Sequence, residues 1–341
     1  MEILANLFFV LIYLFAIVLT CNIFTNSIEN LGKKLNLDES ATGSILAAIG
    51  TALPETILPL IAIFQTKGGG LEGIEIGTGA ILGSSFLLST FALFISASAF
   101  ILFQKRKLTS PLNIDFKNLS RDYKFFIFGY FIAISSTFIN EKNLKIAIGI
   151  FLISFWIFYA IKTLSKSNEN EIEENCPLLF FAFFNKKLSG NFFLILIQTA
   201  VSLFLLFVFS KLFVDEIQAF SILTGISPLV TSLILSPLAT ELPEITNSII
   251  WIKNKKDSLA ISNITGAMVY QASICTSLGL IFTDWKFSHH AAINIFCTIF
   301  AVLTVFTLSR ILKKVPAALL LSCFIWYLGF FISLIFHFSL R

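Results

Sequence analysis

Ten stretches of apolar sequence, most of them about as long as a bilayer is thick, govern what this chain can fold into. A helix rising 1.5 Å per residue needs about 20 predominantly apolar residues to cross the hydrocarbon core. Runs of that kind lie at 3–25, 42–65, 74–104, 125–140, 146–162, 191–213, 217–250, 258–283, 290–309 and 315–337 of the 341 residues. Each must satisfy its own backbone hydrogen bonds, so the expected class is an all-α polytopic membrane protein of about ten transmembrane helices. Runs 74–104 and 217–250 are too long for a straight crossing and contain several glycines or prolines, so bends or breaks are expected in them.

Composition agrees. Hydrophobic residues make up 56% of the chain and charged residues only 13%, against about 25% charged in soluble domains. A soluble enzyme, a disordered chain and a nucleic-acid binder are thereby excluded. The five cysteines (21, 176, 275, 297 and 323) form no C-x-x-C pair and have no histidine beside them, so neither a disulfide framework nor a zinc site is expected. The first run is too long for a signal-peptide core and has no basic segment before it, and it is read as a retained first helix.

Orientation follows from the basic residues. Of the 24 Lys and Arg, 18 fall in the loops after the odd-numbered runs or at the run ends bordering them. By the positive-inside bias these loops are cytoplasmic and both termini lie outside. The most polar stretch, TLSKSNENEIEEN at 163–175, sits near the middle. It divides the chain into a first five-helix repeat at 1–162, a cytoplasmic linker at 163–190 and a second five-helix repeat at 191–341. Five crossings per half force opposite orientations, the condition for two inverted-topology repeats.

An internal repeat supports that division. ILAAIGTALPE at 45–55 aligns with ILSPLATELPE at 234–244 at a constant offset of 189 residues, and GAILGSSFLLS at 79–89 aligns more weakly with SNITGAMVYQA at 262–272. The deep ionisable residues Glu55, Glu241 and Glu244 all fall in the first pair of segments. Charged side chains at membrane depth are costly and mark function by default. Pro54 and Pro243 precede two of these glutamates and free the carbonyls of Gly50 and Ala239 as further oxygen donors. Carboxylates, hydroxyls and carbonyls without thiolate or imidazole suit hard cations, and an irregular cage of many oxygens suits Ca2+ better than Mg2+. Glu241 and Glu244 are three residues apart and share a helix face. Two such carboxylates cannot both ionise cheaply without a cation, so proton coupling is also physically reasonable.

With Leu-Pro-Glu repeated in two opposed five-helix halves, the chain resembles the calcium/cation antiporter superfamily, particularly its sodium/calcium exchanger branch. Each half of those proteins carries a G-T-S-x-P-E motif followed, on the next helix, by a G-S-N-type motif. Here the first motif reads GTALPE at 50–55 and ATELPE at 239–244. The resemblance implies ion-ligand roles for Thr51, Glu55, Thr240 and Glu244, with Glu241 as a third acid. In the second motif Ser84 matches the serine, the polar position after it is Leu88, and the corresponding residue of the other half is Gln271; a one-residue slip would bring Ser89 to the site instead. The implied activity is secondary antiport of Ca2+ against Na+ by alternating access in a plasma (inner) membrane. Runs 2, 3, 7 and 8 would hold the ions and runs 1 and 6 would slide across them. H+ or another divalent ion such as Mn2+ is the alternative. The expected partners are transported inorganic cations and the lipid bilayer, with no cofactor and no nucleic acid. No nucleophile elbow or H-E-x-x-H segment points to an enzyme.

Overall fold

The structure, a computed structural model, describes residues 2–34, 47–65, 70–164 and 192–339; the side chains of 25, 28, 29, 32–34, 47–53, 65, 164 and 337–339 fall outside that description. The linker at 163–190, beyond the helix that runs into it, likewise lies outside the described residues. No strand forms among the described residues, which are helices joined by short non-helical connections. In chain order the helices are α1 (Glu2–Lys34), α2 (Ala47–Gln65), α3 (Leu71–Gln104), α4 (Phe116–Ser135), α5 (Lys142–Leu164), α6 (Phe192–Thr224), α7 (Pro228–Lys253), α8 (Asp257–Phe282), α9 (His289–Leu312) and α10, made of Ala317–Leu321 and Cys323–Ser339. Seven helices among the described residues are long and apolar enough to cross a membrane, namely α1, α3, α5, α6, α8, α9 and α10. Their outer faces are covered with exposed large apolar side chains, such as Leu4, Phe103, Phe158, Phe204 and Ile335. That surface would be unstable in water and suits acyl chains.

The two over-long runs resolve differently. Run 74–104 is one helix, α3, interrupted at Leu88–Ala92 by a turn of π-helix. Run 217–250 is two helices: α6 continues through it to Thr224, Gly225 turns the chain with φ +71°, and Pro228 opens α7 under a Ser227 cap. Glycine accepts that backbone angle without strain, and proline at the first helical position gives up an N–H that would have no partner anyway. α8 carries a second π-turn at Gln271–Cys275. α4 starts nine residues before the apolar run 125–140, because Asp115 accepts from the backbone N–H of Lys117 and Asn118 and caps a polar first turn.

Two apolar clusters organise the bundle. The larger joins α3, α4, α5, α7, α8, α9 and α10. The smaller lies where α1 and α6 meet α2, α3 and α7, through side chains such as Ile17, Phe213, Leu58, Ile76 and Ala239. α1 and α6 are joined to each other near both ends. Asn6 of α1 donates to the Glu216 side chain and, at 3.3 Å, to its carbonyl. Near the other end Gln198 of α6 donates to the Ile23 carbonyl at 3.1 Å and to Ser27 at 2.8 Å.

α3 and α7 cross closely. A Cβ built on Gly83 would stand 2.5 Å from the Leu233 carbonyl oxygen and 2.6 Å from Pro237, and one on Gly79 would stand 2.6 Å from the Leu229 carbonyl oxygen. Gly79 and Gly83 are four apart, the small-xxx-small spacing that lets membrane helices approach closely. Ser232 of α7 then reaches the Ile76 carbonyl of α3 at 2.6 Å. Gly83→Ala should therefore lower the melting temperature of the purified protein, since overpacking costs roughly 1–3 kcal/mol. Gly329→Ala, whose Cβ would meet nothing within 4 Å, should leave it unchanged or higher; differential scanning fluorimetry of the two variants checks the pair.

Candidate cation site

The site is assembled from four helices. α2 supplies Glu55, α7 supplies Thr240, Glu241 and Glu244, α3 supplies Ser84 and α8 supplies Gln271. The three glutamates converge: one carboxylate oxygen from each lies within 4.8 Å of the other two. Their exposures are 2%, 0% and 1%. One face of α7 thus carries two acids, as their three-residue spacing requires, and α2 brings the third from the other half of the chain.

The acids are held differently. Glu241 is fixed by two donors, the Thr240 hydroxyl at 2.7 Å on Oε1 and the Gln271 amide at 2.9 Å on Oε2. Ser84 lies 3.3 Å from the Thr240 hydroxyl and extends that chain to α3. Among the described residues, neither oxygen of Glu55 has a hydrogen-bond partner. Burying such a carboxylate without a donor or counter-charge costs several kcal/mol, and a bound cation removes that cost. Glu244 borders the same space and its backbone carbonyl accepts from Asn263 of α8 at 3.4 Å.

Prolines shape the backbone around these groups. Pro59 and Pro237 lie within α2 and α7, as do Pro54 and Pro243. By the same four-residue rule, Pro59 frees the carbonyl of Glu55 and Pro237 that of Leu233. The Cys275 thiol lies 3.6 Å from the Glu55 carbonyl and donates to it. The Leu233 carbonyl is the atom that Gly83 approaches. Ala239 is fully buried beside Thr240. Gly50 and Thr51 belong to the start of α2, where side chains lie outside the described residues.

The two π-turns open at Leu88 and Gln271, the two positions that align in the repeat. A π-turn widens the helix by one residue and is common at functional sites. In α8 it presents the Gln271 amide to Glu241; in α3 the corresponding Leu88 is fully buried in the large apolar cluster. Ser89, the residue that a one-residue slip would bring to the site, donates back to the Phe86 carbonyl at 3.1 Å. Sequence reasoning missed Asn263 and the Thr56–Tyr270 hydroxyl contact of 2.7 Å that ties α2 to α8 beside Glu55. A Ser-Asn pair at 262–263 within an apolar run was the available signal for the first; no local pattern marked the second.

Oxygen donors on buried helices, three of them carboxylates, make a site for a hard cation. Gln271→Leu strips one donor from Glu241 and should weaken Ca2+ binding by about 10–100-fold, the loss expected for a hydrogen bond to a charged group. Glu55→Gln should weaken it at least as much. Calcium titrations of the purified variants, read by the Ca2+-dependent rise in melting temperature, check both.

The fold is that of known exchangers. The family model described as sodium/calcium exchanger protein matches residues 5–164 and 194–333, most of the chain. The sodium/calcium exchanger MaX1 of Methanosarcina acetivorans is 25% identical over 304 residues, 81% of this chain and 82% of the relative. Among solved structures, the H+/Ca2+ exchanger CAX superposes with a TM-score of 0.76 at 15% identity, over 97% of this chain and 82% of that one. The sodium-calcium exchanger NCX_Mj superposes with a TM-score of 0.60 at 21% identity, over 97% of this chain and 99% of that one. The chain is therefore a polytopic membrane protein of the cation and calcium antiporter type, and it belongs to the sodium/calcium exchanger protein family.

Proposed function

We propose that this protein exchanges Ca2+ for Na+ by alternating access, with the cluster of Glu55, Glu241 and Glu244 as the shared binding site. The single observation that carries the reading is the convergence of three buried carboxylates, two from α7 and one from α2, within 4.8 Å. Glu241, oriented by Gln271 and Thr240, is the fixed acceptor; Glu55, with no donor of its own, is the group whose charge is met by the transported ion. Thr51, Thr240, Ser84 and the carbonyls of Gly50 and Ala239 complete the proposed oxygen set. The ions are the only ligands required: the protein is a transporter rather than an enzyme and needs no cofactor.

The proposed architecture is ten crossings in two inverted five-helix repeats, residues 1–162 and 191–341, around a cytoplasmic linker. Both termini would face outward in a plasma (inner) membrane. Support comes from the LPE repeat on α2 and α7, the aligned π-turns of α3 and α8, and the bias of basic residues.

One observation favours H+ as the alternative coupling ion. Emptied of Ca2+, three carboxylates this close need replacement positive charge, and a proton serves as well as Na+. The deciding experiment is 45Ca2+ uptake into proteoliposomes preloaded with Na+, against an imposed pH gradient and against no gradient. Uptake driven by Na+ is the expected result. Uptake driven by the pH gradient alone would replace Na+ with H+ in the same mechanism, and no uptake under either would sink Ca2+ antiport. Glu55→Gln and Glu244→Gln should each reduce uptake at least about 100-fold, as loss of a buried charge partner does.

A further inference from the structure

The π-turn of α8, Gln271–Cys275, is fastened to α2 at both of its ends. Just before it, the Tyr270 hydroxyl lies 2.7 Å from the Thr56 hydroxyl. At its last residue, the Cys275 thiol donates to the Glu55 carbonyl at 3.6 Å. The two fastenings land on consecutive residues of α2, one of them an acid of the cation cluster. Between them Gln271 reaches across to Glu241 of α7 at 2.9 Å. The Tyr270 ring is itself set by Trp156 of α5, edge to face at 5.5 Å and 83°.

The matching π-turn of α3 is held differently. Leu87, Leu88 and Ala92 pack in the large apolar cluster, and the Ser89 and Thr90 hydroxyls donate back to the Phe86 carbonyl of their own helix. Among the described residues, only the α8 turn is therefore tied by polar contacts to a neighbouring helix of the site. The tie closes a short path between acids from the two halves of the chain. Glu55 is bonded to Thr56, Thr56 meets Tyr270, Tyr270 is bonded to Gln271, and Gln271 holds Glu241. A hydrogen bond fixes its two heavy atoms to within a few tenths of an ångström. That is the scale on which hard cations differ: Ca2+ takes its oxygens at about 2.3–2.6 Å, whereas Mg2+ demands about 2.0–2.1 Å in a strict octahedron. A frame that cannot contract leaves the smaller ion short of ligands.

We propose that Tyr270 is a positioning residue that determines cation specificity: through Thr56 it holds α8 on α2 at a separation that suits Ca2+ and disfavours Mg2+. Tyr270 touches no ion in this scheme. It acts through Gln271 and Glu55, and the Cys275 thiol is the second, weaker fastening of the same turn. The inference rests on the reading that the three carboxylates hold Ca2+, and it adds what makes them choose it.

The test titrates Ca2+ and Mg2+ separately into the full-length purified protein and reads each affinity from the ion-dependent rise in melting temperature. Wild-type protein should prefer Ca2+. Tyr270→Phe and Thr56→Val each remove one oxygen of the fastening and should lower the Ca2+-to-Mg2+ affinity ratio about 3–10-fold, the effect of one hydrogen bond. The double variant should fall no further than either single, because both break the same contact. Thr56→Ser keeps the hydroxyl and should keep the ratio; if Tyr270→Phe does not purify as monodisperse protein, the Val and Ser variants of Thr56 decide the question alone. A merely structural role would lower both affinities by the same factor and leave the ratio untouched, and that result overturns the proposal. So do additive losses in the double variant and a wild type without preference for Ca2+. A wild type with no response to Ca2+ overturns the Ca2+ reading as well, whereas a normal response with unchanged ratios in the variants overturns this inference by itself.

Discussion

Three carboxylates are gathered where hydrocarbon surrounds the helices, and the rest of the molecule is arranged around the cost of keeping them there. A lone ionised glutamate at membrane depth is strongly disfavoured. Three within 4.8 Å call for counter-charge and for hydrogen-bond donors. Gln271, Thr240 and Ser84 provide that donor chain for Glu241 from three helices. Glu55 receives none among the described residues, and this asymmetry distinguishes the two acids.

Backbone follows from the same requirement. Prolines in α2 and α7 open carbonyls near the acids, and two of these have a close neighbour. Cys275 donates to the one at Glu55, and Gly83 comes close to the one at Leu233. Small residues on α3 let it approach α7 closely enough for Ser84 to touch Thr240. A larger side chain at Gly79 or Gly83 would act on the ion site by separating the helices that frame it.

Much of this was legible in the residues. Apolar length placed the helices, and the repeated Leu-Pro-Glu picked out the two that carry the acids, since few other ionisable residues lie deep in the runs. The break between α6 and α7 was less visible. Asp215 and Glu216 suggested an earlier end to α6, whereas the chain turns at Gly225, and only three-dimensional packing shows that Glu216 is held by Asn6 of α1. The π-turns have no sequence signature, because an extra residue in a helical turn leaves composition unchanged. Cys275 illustrates a different limit: a buried thiol in an apolar run reads as packing or as ligand, and its bond to the Glu55 carbonyl requires knowing which strand of backbone Pro59 has opened.

The joined pair of α1 and α6 has a mechanical consequence. Polar contacts fasten the two helices to each other near both ends, while the described side chains they set against α2, α3 and α7 are largely aliphatic and aromatic, with Gln218 of α6 donating to Glu72 of α3 as an exception. Such a pair behaves as a stiff plank on a greased surface. Shifting it exchanges one set of dispersion contacts for another of similar strength, with few directional bonds to break. If the pair slides as the proposed alternating access requires, friction between the plank and its bed, rather than the rupture of a lock, sets how fast the site turns from one side of the membrane to the other.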